Sequence, residues 1–149
     1  MKVSAVLCGS DRSEPHRGPM TEMQKTDDHS FRSHCSIART LELVGDKWTL
    51  LVVRDLLWHG KHTFQALQGS AERIPTNMLA ERLRRLMSWG LVRREPYQDR
   101  PVRYGYYLTE AGWALEPVLL QVMQWGHRHL DGDWYDPEKS GRNGDSEWD

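Results

Sequence analysis

Between residues 75 and 109 the hydrophobic period changes from helical to strand-like, and few folds accommodate that change over so short a stretch. Leu79, Leu83 and Leu86 form one apolar stripe on a helix expected over 75–88, which Gly90 stops. The opposite side carries Asn77, Ala80, Glu81, Arg84 and Ser88, with Arg85 close by. Residues 91–97 and 103–109 then read as two strands, with Tyr104, Tyr106 and Leu108 on alternate positions of the second. The polar turn Gln98-Asp99-Arg100-Pro101 joins them. An amphipathic helix feeding straight into a hairpin restricts the chain to mainly helical folds with a small β appendage.

The residues upstream complete the pattern. Ile37, Leu41 and Val44 fall at i, i+4 and i+7, one buried helix face, and Gly45 can end that helix. Asp46 is the expected N-cap of a helix over 47–59, apolar nearly all round and closed by Gly60. Thr63 caps a short helix with Phe64 and Leu67 inward, and a loop at 69–73 leads to the amphipathic helix. Short helix, short loop and amphipathic helix, in that order, make a helix-turn-helix, and the hairpin after it is a β-wing. A last helix over 110–130 lines up Leu115, Val118, Leu119, Val122 and Trp125, with Pro117 bending it or marking a restart. The expected fold class is a mainly α winged helix-turn-helix.

At 149 residues the chain fits one domain plus tails. Residues 1–34 mix Gly, Pro, Ser, His and charge without periodicity and read as a disordered tail. Met20 and Met23 lie within it, so translation is a candidate to start later than Met1. The folded unit is 35–130, and 131–149 is a second disordered tail. No apolar run approaches the roughly 18 residues of a membrane span, and the opening patch is too short for a secretory signal. Cys8 and Cys35 lack metal-box spacing, which suits a cytoplasmic protein with reduced thiols.

The net charge of −1 hides an asymmetry: 35–130 carries +4 while 131–149 carries −5. An anionic partner meets the local charge of the central domain. A helix in the major groove reads base edges near its N-terminus, while surrounding cations bind phosphate. Thr76 and Asn77 are short donor/acceptor groups at that end, and Arg84 is the cation on that face. Arg85, Arg100 and Arg103 are the phosphate and wing candidates. Glu81 on the same face opposes phosphate, yet it can accept from a cytosine amino group. The seven histidines lack i, i+4 ligand spacing and call for no metal, and no cofactor is implied.

A longer resemblance runs through these elements. The stretch Cys35-Ser-Ile-Ala-Arg-Thr-Leu-Glu-Leu-Val-Gly-Asp-Lys-Trp48, then Leu51-Val-Val-Arg-Asp-Leu56, resembles the opening of the HxlR family of bacterial winged-helix regulators. The match continues through Leu79-Ala-Glu-Arg-Leu83, Gly90-Leu-Val-Arg-Arg-Glu95, Pro101-Val-Arg103, Tyr106-Tyr-Leu-Thr-Glu-Ala-Gly112, Leu115-Glu-Pro-Val118 and Trp125-Gly126. The resemblance implies a homodimeric, MarR-like transcription factor, commonly a repressor, with two recognition helices on a palindromic DNA operator. It implies dimerisation through the first and last helices, here Ile37, Leu41, Leu115, Leu119, Val122 and Trp125. Cys35 stands where many members carry a cysteine, used by some to sense oxidants or electrophiles. A helix N-terminus and Arg39 would favour its thiolate. Departures occur where the family has Arg-Phe-x-Glu-Leu, here Thr63-Phe-Gln-Ala-Leu67 near the DNA-facing turn, and Ile-Ser, here Ile74-Pro75.

Rival classes have less support. No Gly-rich phosphate loop, nucleophile elbow or placed carboxylate pair suggests an enzyme. A winged helix used only for protein contacts remains an alternative, as does a regulator controlled by a small-molecule ligand without thiol chemistry.

Overall fold

The computed structural model describes residues 31–132. Most of the N-terminal tail, with Cys8, Met20 and Met23, lies outside the described residues, as does 133–149. The chain runs α1 (Ser36–Val44), α2 (Thr49–Trp58), α3 (Phe64–Gln68), α4 (Thr76–Ser88), β1 (Val92–Asp99), β2 (Val102–Leu108), α5 (Glu110–Trp113) and α6 (Glu116–His129). Helix-turn-helix and wing follow in the expected order.

Helix α2 lies at the centre of the core because both of its sides are apolar. Val52, Val53 and Leu56 are buried there with Leu67, Ile74, Leu79, Leu83, Leu86, Leu91, Val92, Leu108 and Leu119. The stripe Leu79, Leu83 and Leu86 is at most 2% exposed, so each of these side chains contributes about 1.5–3 kcal/mol of burial. That stripe fixes which side of α4 faces out.

Local chemistry sets the ends of the elements. The Asp46 carboxylate accepts from the backbone N–H of Trp48 at 2.9 Å and of Thr49 at 3.1 Å. It thus holds the turn that leads into α2, but the helix begins only at Thr49 and its N-cap position falls to Trp48, not to the expected Asp46. Thr63 accepts from the Ala66 N–H at 3.1 Å and caps α3. Pro75 takes the N-cap position of α4 without a side-chain cap, and Thr76 is the first helical residue. Gly90 adopts φ +70 between α4 and β1, a conformation that favours glycine.

The hairpin is longer than its sequence suggests. Asp99 pairs with Val102, which leaves only Arg100 and Pro101 in the turn. A bulge interrupts the register between Pro96 and Gln98, where proline has no N–H to give the ladder. The Tyr106 N–H donates to the His62 carbonyl at 2.7 Å, which binds the segment before α3 to the wing.

The expected single C-terminal helix is two helices, broken at Ala114 and Leu115, with Pro117 in the first turn of α6. Gly112 permits the close approach of α5 to the sheet: a Cβ there would lie 2.2 Å from the Leu91 carbonyl oxygen. Among the described residues no helix is long and apolar enough to cross a membrane.

Candidate nucleic-acid interface

Helix α4 presents Thr76, Asn77, Ala80, Arg84 and Ser88 to solvent, as its apolar stripe requires. The Thr76 hydroxyl accepts from Gln68 Nε2 of α3, which joins the two helices of the motif at the exposed end. Arg84 donates to the Glu81 carboxylate one turn earlier, at 3.2 Å from Nε and at 3.0 and 2.9 Å from Nη2. Thr63 is occupied as the α3 cap. Arg100 and Arg103 are exposed on the wing and form no ion pair among the described residues.

Arg85 stands apart from Arg84. It is half-buried, and its Nη2 donates to the backbone carbonyl of Glu42 at 3.1 Å. Glu42 contributes one of the last four carbonyls of α1, which have no partner within their own helix. Arg85 therefore links α4 to the end of α1.

The expected interface residues divide. Ile37 is 72% exposed, and Leu41, Val122 and Trp125 are each more than half exposed. Leu119 is only 7% exposed and belongs to the chain's own core, with Leu115 packed against that core. The helical wheel places Leu115, Leu119, Val122 and Trp125 on one face, but Leu119 is used within the protomer. Val118 and Leu130 are further exposed apolar residues in and just after α6.

Cys35 occupies the N-cap position of α1 and is half-buried; its N–H donates to Ser33 Oγ at 3.1 Å. The Arg39 guanidinium sits 4.5 Å from the centre of the Phe31 ring, which in turn stacks on Trp89. The histidines beside α3 are structurally engaged. His59 Nδ1 lies 3.0 Å from Asp55, while His62 Nδ1 lies 3.1 Å from the Tyr106 carbonyl oxygen and its ring stacks on Tyr107. Among the described residues, no group of three or more His, Cys, Asp or Glu is placed to hold a metal.

The sequence reading missed a polar cluster beneath the motif. Asp55, 2% exposed, accepts from Arg54 Nε at 2.9 Å and Nη2 at 2.7 Å, and from the Ser70 hydroxyl. Lys61 Nζ donates to the same Ser70 oxygen at 2.9 Å, and Arg54 forks onto Glu72 at 2.6 and 3.0 Å. Burial alone would raise the Asp55 pKa. The His59 contact, the Arg54 charge and the Ser70 hydrogen bond outweigh it and hold the pKa at about 2. The Arg54 hydrogen bond likewise lowers Glu72. This cluster ties the end of α2 to the turn before α4. Its signal was an ionisable pair, Arg54-Asp55, inside an otherwise apolar helix.

Comparison with known proteins fits this geometry. An uncharacterized HTH-type transcriptional regulator of Mycobacterium tuberculosis is 42% identical over 102 residues, 68% of this chain. The chain spans only 63% of that relative's length. The reduced form of the transcriptional regulator YodB from B. subtilis is 30% identical with a TM-score of 0.56, covering 68% of this chain and all of YodB. The redox regulator HypR in its oxidized form is 35% identical with a TM-score of 0.57, covering 66% of this chain and all of HypR. Residues 43–133 match the family described as HxlR-like helix-turn-helix, more than half of the sequence. With its helix-turn-helix, wing and this match, the chain belongs to the HxlR-like helix-turn-helix family.

Proposed function

We propose that the protein is a cytoplasmic transcriptional regulator that binds double-stranded DNA sequence-specifically as a homodimer. The observation that carries this reading is the exposed face of α4, where Thr76, Asn77 and Arg84 stand free of the core beside a wing bearing Arg100 and Arg103. Short polar groups at a recognition-helix N-terminus suit base edges, and wing arginines suit phosphate or a flanking minor groove. The exposed Ile37, Leu41, Val122 and Trp125 support pairing of two copies through α1 and α6. Two-fold symmetry then calls for a palindromic operator with half-sites roughly 34–36 Å apart. Bound there, the dimer acts as a repressor.

Thiol control through Cys35 is the second element of the proposal. Its support is the half-buried thiol at the start of an exposed apolar helix, together with the redox regulator HypR among the similar structures. Footprinting of the duplex upstream of the protein's own gene tests the reading. Two protected patches one helical turn apart are expected, and their loss after oxidation. A purified dimer that protects no duplex from any genomic fragment would overturn it.

A further inference from the structure

Every cation on α4 is committed within the protein. Arg82 Nε lies 3.2 Å from Asp46 Oδ1, Arg85 bonds the Glu42 carbonyl, and Arg84 forks onto Glu81. Of these, only the Glu81–Arg84 pair stands on the exposed face, with side chains 41% and 66% exposed. The face that α4 offers DNA is thus a neutral ion pair among short polar groups. Sequence-independent affinity grows with each phosphate neutralised, and this face brings no free charge to that task. Arg100 and Arg103 of the wing supply it.

The pair keeps unused hydrogen-bonding capacity. Arg84 engages Glu81 through Nε and Nη2, which leaves Nη1 out of the fork. Glu81 receives three bonds, and a carboxylate has about four lone-pair sites. In the major groove, arginine pairs well with guanine O6 and N7, and glutamate accepts from cytosine N4. Only a G·C pair offers both.

We propose that Glu81 is a specificity-determining residue: it holds Arg84 in a neutral fork that reads one G·C base pair per half-site and keeps that guanidinium off phosphate. This rests on the duplex-binding function above and names the base pair that the same face selects.

The test is selection from a randomised duplex library by the full-length wild type, Glu81→Gln, Glu81→Ala and Arg84→Ala. Anisotropy on the selected and scrambled duplexes across a salt series follows. Wild type is expected to select a G·C pair in each half-site. Both Glu81 variants lose the preference there, by about tenfold. They also bind scrambled duplex more tightly, and the salt slope steepens by about 0.9 per protomer as the freed Arg84 takes a phosphate. Arg84→Ala loses the preference without the steeper slope. Glu81 variants that select the wild-type motif, or weaken on all sequences alike, overturn this inference alone. A wild type that selects no motif overturns the duplex-reading function as well.

Discussion

Arg85 of α4 donates from Nη2 to the Glu42 carbonyl oxygen of α1, 3.1 Å away, so the helix that presents Arg84 to solvent is tied to the helix whose N-cap position is Cys35. The bond satisfies a carbonyl that the end of α1 leaves without an intrahelical partner, and the donor is charged. Replacing Arg85 with Ala is expected to cost about 1–2 kcal/mol of stability. The salt slope of DNA binding should stay unchanged. Thermal melting and the salt series check this; a slope smaller by about 0.9 per protomer would return Arg85 to the phosphate contacts.

Asp55 makes stability sensitive to acid. Its pKa is about 2 when folded against 3.8 unperturbed, so its ionised form is favoured in the folded state. That contribution, about 2 kcal/mol, is complete above the unfolded value and is lost as pH falls through 3.8 towards about 2. Urea denaturation between pH 5 and 2 should show a steeper acid loss in wild type than in Asp55→Asn. At neutral pH the variant should be less stable by about 3–5 kcal/mol, because Arg54 and Lys61 lose a buried partner. Equal acid limbs in the two proteins would remove Asp55 as the cause.

Cys35→Ser should leave operator binding intact and abolish its loss with diamide or a quinone. Serine is also a good N-cap, so the start of α1 should be at least as stable. Anisotropy with and without oxidant decides the matter: equal responses of variant and wild type would end the sensing role.

The exposed side of α1 and α6 yields a fourth expectation. Ile37→Glu, alone or with Val122→Lys, places charge on apolar surface without disturbing the core. Sedimentation should report monomers, and operator affinity should fall at least tenfold as the two half-sites uncouple. An unchanged dimer would place the interface elsewhere.

Much of this architecture was legible because it rests on period. The Leu79–Leu83–Leu86 stripe dictated which side of α4 faces out, and the following alternation announced the wing. Wheel positions say little about where a long side chain ends. Arg84 and Arg85 are neighbours in sequence, yet one meets Glu81 and the other crosses to α1. Leu119 shows the same limit, since an apolar face does not reveal whether its partner is the same chain or a second copy. The Asp55 cluster joins residues from 54 to 72 by side-chain hydrogen bonds, which leave no periodic trace. The break at Ala114 and Leu115 was visible only as Pro117.

The most direct test of the central claim is fluorescence anisotropy of the reduced protein on its operator duplex and on a scrambled duplex, across a salt series. The account predicts selective binding by at least about 10³-fold, with a steep negative salt slope that Arg100→Ala and Arg103→Ala each reduce by about 0.9 per protomer. Asn77→Ala should weaken the operator complex and leave the scrambled one unchanged. Equal, weak binding to both duplexes, with no response to Asn77→Ala, would contradict the assignment of α4 as the element that reads DNA.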